Sequence, residues 1–310
     1  MKPNCPLCNS SHCYFVETIS ISDLQYFYQK KYSVDVESEF NEIDNLFFYH
    51  CDECFLGFFW PMIEGSSKFY WNLSRNSWYY QQDKSEFRTI SALIPQGSSV
   101  LDIGCGEGNF AWFLNNCSYT GLEKYIMSSN NQGLNIVSDT IEHHSIEYAN
   151  NYDVVCAFQV LEHVNAIRQF IDSCLRCLKP GGLFVISVPS GESFYSETIN
   201  GILNMPPHHI SWWKDKTFHW IASAYDMALL SLKHEPLSKI HYKRYAHNKV
   251  VTRINRRFNR PFHLVDRSFK HKIIELFALP VSLVVYIGLI FNILPLPVGH
   301  TVTAVYKKTI

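Results

Sequence analysis

The sequence predicts an α/β chain in which a mainly parallel sheet is flanked by helices, with a small cysteine-rich module in front and a helical insertion behind. Three observations lead there. From residue 97 onward, apolar runs of strand length (100–103, 119–123, 134–138, 153–159) alternate with amphipathic stretches. A glycine-dense turn, Gly104-Cys-Gly-Glu-Gly108, joins the first strand to the amphipathic run 110–114, and two C-x-x-C pairs stand near the N-terminus. At about 150 residues per domain, 310 residues suggest one enzyme-sized core with appendages. With 47% apolar and 18% charged residues, the composition excludes a disordered or fibrous chain. The 27 Lys and Arg nearly cancel the 28 Asp and Glu, so the molecule as a whole has no field to attract nucleic acid.

Residues 1–60 read as a zinc-ribbon-like module. Cys5-Pro-Leu-Cys8 and Cys51-Asp-Glu-Cys54 each form a knuckle, and four thiolates at ~2.3 Å around a tetrahedron suit a structural zinc. Buried or redox-active thiols are the alternative. The long insert between the pairs predicts a small helical excursion over 20–40, and 55–60 predicts a strand. His12 and Cys13 are out of step with the pairs. The ten cysteines are irregularly spaced and MKPNCPLCNS has no signal-peptide character, so a cytoplasmic chain with reduced thiols is expected. Cys174 and Cys177 stand one helical turn apart and predict core positions. Residues 61–96 form an aromatic helical linker or lid, whose stretch 70–80 either packs on the sheet or lines an acceptor site.

The glycine turn reads as strand, tight turn, helix start, where backbone must bend sharply and admit a ligand closely. A dinucleotide fingerprint also fits, since Gly106-x-Gly108-x-x-Ala111 satisfies its permissive form. Two carboxylates decide between them. Asp102 lies inside the strand end and suits a cationic amino-acid group, while Glu123 ends the next strand and is placed for two ribose hydroxyls. With these residues the sequence resembles the class I S-adenosylmethionine (SAM)-dependent methyltransferases. The resemblance continues in order through Asp139-Thr140, Val160-Leu-Glu162-His163-Val and Leu178-Lys-Pro-Gly-Gly, covers 97–237 and resumes at 299–307. It implies a Rossmann-like seven-stranded methyltransferase sheet of order 3-2-1-4-5-7-6, with 299–307 as the antiparallel seventh strand. It further implies SAM contacts from Asp102, Gly104, Cys105, Gly106, Gly108, Glu123, Asp139, Thr140 and Gln159.

Methyl transfer requires alignment of a nucleophile and removal of its proton. Candidates for that role are His163 after strand four, and His208 and His209 in Pro206-Pro-His-His-Ile-Ser-Trp-Trp213. The structural alternatives are a helix-start histidine bonding backbone for His163 and, for His208 or His209, capping of a helix near Lys216. The Pro-Pro-His-His pattern resembles bacterial methyltransferases that act on sugars and cell-surface polysaccharide. A quinone-biosynthesis branch resembles the chain at Glu162-His163 and can hold a divalent cation with an earlier Glu. Gln159 occupies that earlier position here, which argues against such a metal.

Between Lys239 and Lys272 stand eleven Lys or Arg against one acid, Asp266, and residues 276–301 carry none. A basic segment beside an apolar one predicts contact with an anionic membrane, each basic residue contributing ~1 kcal/mol. A single crossing would strand the seventh strand on the far side, so the expectation is an interfacial helix ended by Pro280 and Pro295, with a core helix as the alternative. The domain reading is therefore 1–60, 61–96, 97–237 with 299–310, and an insertion over 238–298. The functional expectation is a SAM-dependent methyltransferase of a sugar or glycolipid acceptor at the inner membrane face. A zinc-bearing RNA methyltransferase and a non-catalytic membrane adaptor are the alternatives. The acceptor atom and the oligomeric state are left open by the sequence.

Overall fold

The structure, a computed structural model, describes residues 2–76, 84–124 and 133–309. The N-terminal part contains β1 (Cys13–Ser20), α1 (Ile21–Tyr32), α2 (Glu37–Phe40), β2 (Asn45–Cys51) and β3 (Gly57–Trp60), followed by α3 (Ser67–Ser74) and α4 (Ser85–Ser91). The main layer follows as β4 (Ser99–Ile103), β5 (Ser118–Leu122), β6 (Ile136–Val137), α5 (Ile141–Glu147), β7 (Tyr152–Phe158), α6 (Ile167–Cys177) and β8 (Leu178–Pro189). It is completed by β9 (Ser211–Trp212), α7 (Asp215–Ala224), β10 (Met227–Pro236), α8 (Tyr242–Arg257), α9 (Phe269–Ile290) and β11 (Val298–Lys308).

The seven-stranded sheet runs β10-β11-β8-β7-β4-β5-β6, the strand order that the sequence predicts. Strands β4 to β8 pair in parallel, and β11 inserts antiparallel between β8 and β10. β7 is an almost unbroken buried run because helices cover both faces of the sheet. In α6, Phe170, Ile171, Cys174 and Cys177 recur at helical spacing and are all buried, which places the third C-x-x-C in the core. The helix expected after the glycine turn is a short 3-10 segment, Asn109–Phe113. Aromatic and Asn-rich sequence favours helix weakly, and Asn116 turns the chain through a positive φ of 51° into β5.

The boundary expected at residue 60 does not hold. β1, β2 and β3 form an antiparallel sheet whose fourth strand is β9, donated from beyond β8. Cys5, Leu7, Cys54 and Phe58 share one hydrophobic core with Leu101, Val155 and Ile186 of the main sheet. The helical excursion is present as α1 and α2, and it packs onto Ile202, Met205 and Trp212. Strand periodicity cannot reveal a partner strand of two residues from 150 positions away.

The insertion is a helical hairpin in which α8 and α9 pack through Tyr245, Ala246 and Leu289 and through Val250, Val251 and Ala278. Pro280 does not end the helix, as expected from sequence, but lies inside α9. The helix starts earlier, where Ser268 Oγ accepts from the His271 N–H (3.2 Å). Pro280 leaves only the Leu276 carbonyl without its helical donor, and Leu276 is exposed, so the interruption is tolerated.

Candidate functional site

β4, β5, β6 and β7 all end on one edge of the sheet, and the strand order reverses between β4 and β7, where α/β sheets place their ligands. The glycine turn leaves β4 at this point. Gly104 has φ +63°, and a Cβ there would lie 2.6 Å from Val160 Cγ2, so only glycine lets the turn approach the exit of β7. At Gly108, φ is +76° and a Cβ would meet Leu134 Cδ1 at 2.8 Å. The Gly106 N–H donates to Glu123 Oε2 (2.9 Å), which brings the acid at the end of β5 against the turn. This cradle of bare backbone and two carboxylates fits a ligand such as SAM.

The other residues predicted for SAM take several positions. Asp102 is buried and accepts from the Tyr119 hydroxyl (2.9 Å), and burial raises its carboxyl to about 7. Gln159 lies at the exit of β7 with φ 61°, its buried Nε2 without a hydrogen-bond partner among the described residues. Cys105 offers only backbone to a ligand, because its thiol turns under the loop, where a Cβ on Gly121 would meet it at 2.6 Å. Asp139 is engaged locally, with both carboxylate oxygens on His143 Nδ1 (2.9 and 3.0 Å). Thr140 caps α5 by accepting from the His143 N–H (3.4 Å). Both residues thus bond His143, which was not singled out by the sequence.

The three candidate catalytic histidines converge. Their ring centroids are 4.7 Å (His163 to His208), 5.0 Å (His163 to His209) and 4.3 Å (His208 to His209) apart. None caps α7, whose N-cap is Lys214. His208 Nδ1–H donates to the Leu203 carbonyl (2.8 Å), His209 Nδ1 pairs with Asn204 Oδ1 (3.1 Å), and His163 Nδ1 bonds the His208 carbonyl. With each Nδ1 engaged, Nε2 is the lone-pair nitrogen of each ring. Burial pushes His163 down to about 4, and pushes His208 and His209 well below the usual histidine range. All three are neutral imidazoles at physiological pH and serve as acceptors or ligands rather than as strong bases.

Two neighbours complete the site, one read from the sequence within a motif and the other within the aromatic stretch 70–80, neither with a role of its own. Glu162 is 1% exposed, neither carboxylate oxygen has a hydrogen-bond partner among the described residues, and Oε1 lies 3.8 Å from His163 Nε2. Burial raises it to about 8, and the nearby buried Glu86 adds to the shift. The Tyr70 hydroxyl reaches His163 Nδ1 (3.2 Å), placing part of the aromatic linker in the pocket. Residues 77–80 of that stretch, and 81–83 beyond it, lie outside the described residues. The segment carrying His208 and His209 is held from the N-terminal side, since the buried Tyr28 hydroxyl donates to the Ile202 (3.2 Å) and Met205 (3.1 Å) carbonyls.

The four N-terminal cysteines also converge, with Cys5 to Cys54 and Cys8 to Cys51 sulfurs each 3.4 Å apart. All four sulfurs lie within 4.8 Å of one another, close to the ~3.8 Å edge of a zinc–thiolate tetrahedron. Asn9 and Phe55, each just after the second cysteine of its pair, take positive φ of 59° and 63°, which turns both knuckles inward. The cluster could form a zinc site. His12 stays outside and pairs with Glu53 (3.0 Å).

Comparison with known proteins agrees with this geometry. The model of a family described as "Methyltransferase domain" matches residues 77–232. The chain belongs to this methyltransferase family. Among curated relatives, the ubiquinone biosynthesis O-methyltransferase of Proteus mirabilis (strain HI4320) is 32% identical over 126 residues, which is 36% of this chain and 51% of the relative. The protein of the same name from Cronobacter sakazakii is 34% identical over 98 residues, 28% of this chain and 40% of the relative. The chain spans about half the length of the curated relatives it matches. A SAM-dependent methyltransferase from Archaeoglobus fulgidus aligns with a TM-score of 0.50 at 16% identity, covering 77% of this chain and 100% of that one, which shows the shared fold. This methyltransferase domain thus carries a class I sheet.

Proposed function

We propose that the chain transfers a methyl group from SAM to a hydroxyl of an acceptor presented at an anionic membrane surface, with a sugar of a glycolipid or lipid-linked glycan as the first acceptor class. The observation that carries this reading is the convergence of three neutral imidazoles and an unpartnered Glu162 carboxyl at the exit of β7, one strand from the glycine turn. Bound SAM supplies a methyl group already activated by its sulfonium. The turn, Glu123 and Asp102 hold and orient that ligand. The three histidine rings line the acceptor side of the site and orient the acceptor. Glu162, in the carboxylate form that it reaches as pH rises through about 8, takes the hydroxyl proton as the carbon–oxygen bond forms and the carbon–sulfur bond breaks. Tyr70, with α1 behind the His208 segment, shuts out bulk water.

The membrane part rests on α9. It is 22 residues long, long and apolar enough to cross a bilayer by length and composition, and most of it is exposed, including Phe277 (71%) and Val284 (69%). That exposure argues against a core helix. The basic α8 beside it suits anionic headgroups. β11 lies in the same sheet as β8 and β10, so α9 rests in the interface rather than crossing it. The four cysteines hold a structural zinc in this reading.

Incubating purified protein and labelled SAM with a lysate of the source cells, then separating lipid, glycan, nucleic-acid and small-molecule fractions, tests the proposal. Label is expected in a glycolipid or lipid-linked glycan and lost in the His208→Ala, His209→Ala protein. Label in RNA would replace the reading, and no label anywhere would favour an adaptor. The shared names of the curated relatives favour a second reading, in which the acceptor is a quinol-type hydroxyl, and label in the quinone fraction would establish it.

A further inference from the structure

We infer that His163, His208 and His209 form a binding site for a divalent first-row transition ion, separate from the four-cysteine cluster. One ring nitrogen from each histidine lies within 4.8 Å of the others, and the three come from two segments, 161–163 and 205–209, fixed to one another by the bond from His163 Nδ1 to the His208 carbonyl. Each Nδ1 is held by an oxygen: the Leu203 carbonyl, the Asn204 side-chain amide, the His208 carbonyl. That arrangement fixes the tautomer and orients Nε2, as the outer partners of metal-bound histidines do. The rings are held on their faces and edges by Phe69 and Tyr70 (6.2 Å to His208, 5.7 Å from Tyr70 to His163), so little is left to order on binding.

A second, independent observation points to a cation. Glu162 is 1% exposed, both of its oxygens lack hydrogen-bond partners among the described residues, and Oε1 stands 3.8 Å from His163 Nε2. Two buried carboxyl oxygens are thus left with nothing to bond. An ion held by one nitrogen from each ring would give that carboxyl a partner. Three imidazoles select zinc, cobalt, nickel or iron over magnesium and calcium, so the site does not depend on the carboxylate that Gln159 replaces. Three protein ligands leave a coordination position open, which an acceptor oxygen can occupy. That role rests on the function proposed above, whereas the presence of the ion does not.

Cobalt(II) titration of the intact chain tests the site. The expected result is about two equivalents bound, one with a thiolate charge-transfer band and a second with ligand-field bands alone. X-ray absorption on the doubly zinc-loaded chain should then show nitrogen scatterers at ~2.0–2.1 Å beside sulfur at ~2.3 Å. The His208→Ala, His209→Ala protein should keep the thiolate equivalent and SAM binding and lose the other, and Glu162→Gln should weaken the second equivalent by roughly tenfold or more. A wild-type chain that binds one equivalent through sulfur only overturns the site, as does a second equivalent that survives in the double variant. Should that variant fail to fold, the wild-type spectra still decide. Two ions bound with no methyl transfer to any fraction would sink the proposed function and leave the site standing.

Discussion

Single side chains set the chemistry of this pocket through burial. Asp102 illustrates the sign of the effect. Its carboxyl sits at about 7 rather than 3.8 because it is buried, with Tyr119 only partly offsetting the cost. In the free protein, the stability it contributes is full below about pH 4 and is lost as pH rises through about 7. A cationic ligand reverses the preference, because binding then draws the proton off. SAM affinity should therefore rise by roughly tenfold between about pH 6 and about pH 8. In Asp102→Asn it should be weaker and flat with pH, as calorimetry at the two pH values would show. Tyr28 acts at a distance. Tyr28→Phe removes both hydrogen bonds to the Ile202 and Met205 carbonyls, costs about 1 kcal/mol of stability and loosens the segment that carries His208 and His209. The turnover rate should fall while the SAM dissociation constant stays put, and equal losses in both would show that Tyr28 supports the whole fold instead. Of these residues, Asp102 and the histidines were legible in the sequence because a short motif announces them. Glu162 stood inside a recognisable motif, yet its importance comes from having no partner, which spacing does not record. Tyr28 is invisible to any local reading because its bonds reach about 175 residues along the chain.

At the scale of elements, α9 and β9 depart most instructively from expectation. α9 runs through Pro280 because its apolar sequence continues on both sides and the orphaned carbonyl lies on the exposed face. The result is one 22-residue helix whose outward side presents Phe277 and Val284. Replacing both with Asp should abolish sedimentation with vesicles of anionic lipid while leaving the thermal midpoint within a few degrees, since neither side chain is buried. Persistent sedimentation would assign the contact to α8 instead. The strand order was legible through the resemblance that implies it, with the apolar runs 100–103, 119–123, 134–138 and 153–159 marking the first four strands, although β6 itself keeps only two residues of its run. β9, at two residues, carries none of these. It is recognisable only by its pairing with Gly57 and Phe58.

For the whole molecule, that pairing means the cysteine module and the sheet share one core, and they are expected to unfold together. Cys51→Ser should lower the melting temperature of the entire chain in a single transition, and with the proposed zinc bound a chelator should do the same, since the binding energy of a structural zinc is folding energy. A separate early transition, with SAM binding retained above it, would show that the module stands alone. The sequence divides the chain at residue 60 because composition and motif change there, but a shared core does not follow composition. The antiparallel seventh strand was legible across the whole insertion only through the resemblance, which implies it at 299–307; hydrophobicity alone would not disclose it.

The position of β11 also orders events during synthesis. It lies between β8 and β10 in the sheet, yet it leaves the ribosome after both and after the α8–α9 hairpin. Until it emerges, β8 and β10 have no shared neighbour and their inner edges stay unpaired. The apolar hairpin is meanwhile already available to a nearby bilayer. Under the membrane contact proposed above, a chain made near a bilayer would be held through α9 before its sheet is closed, and the final pairing would take place on a surface rather than in free solution.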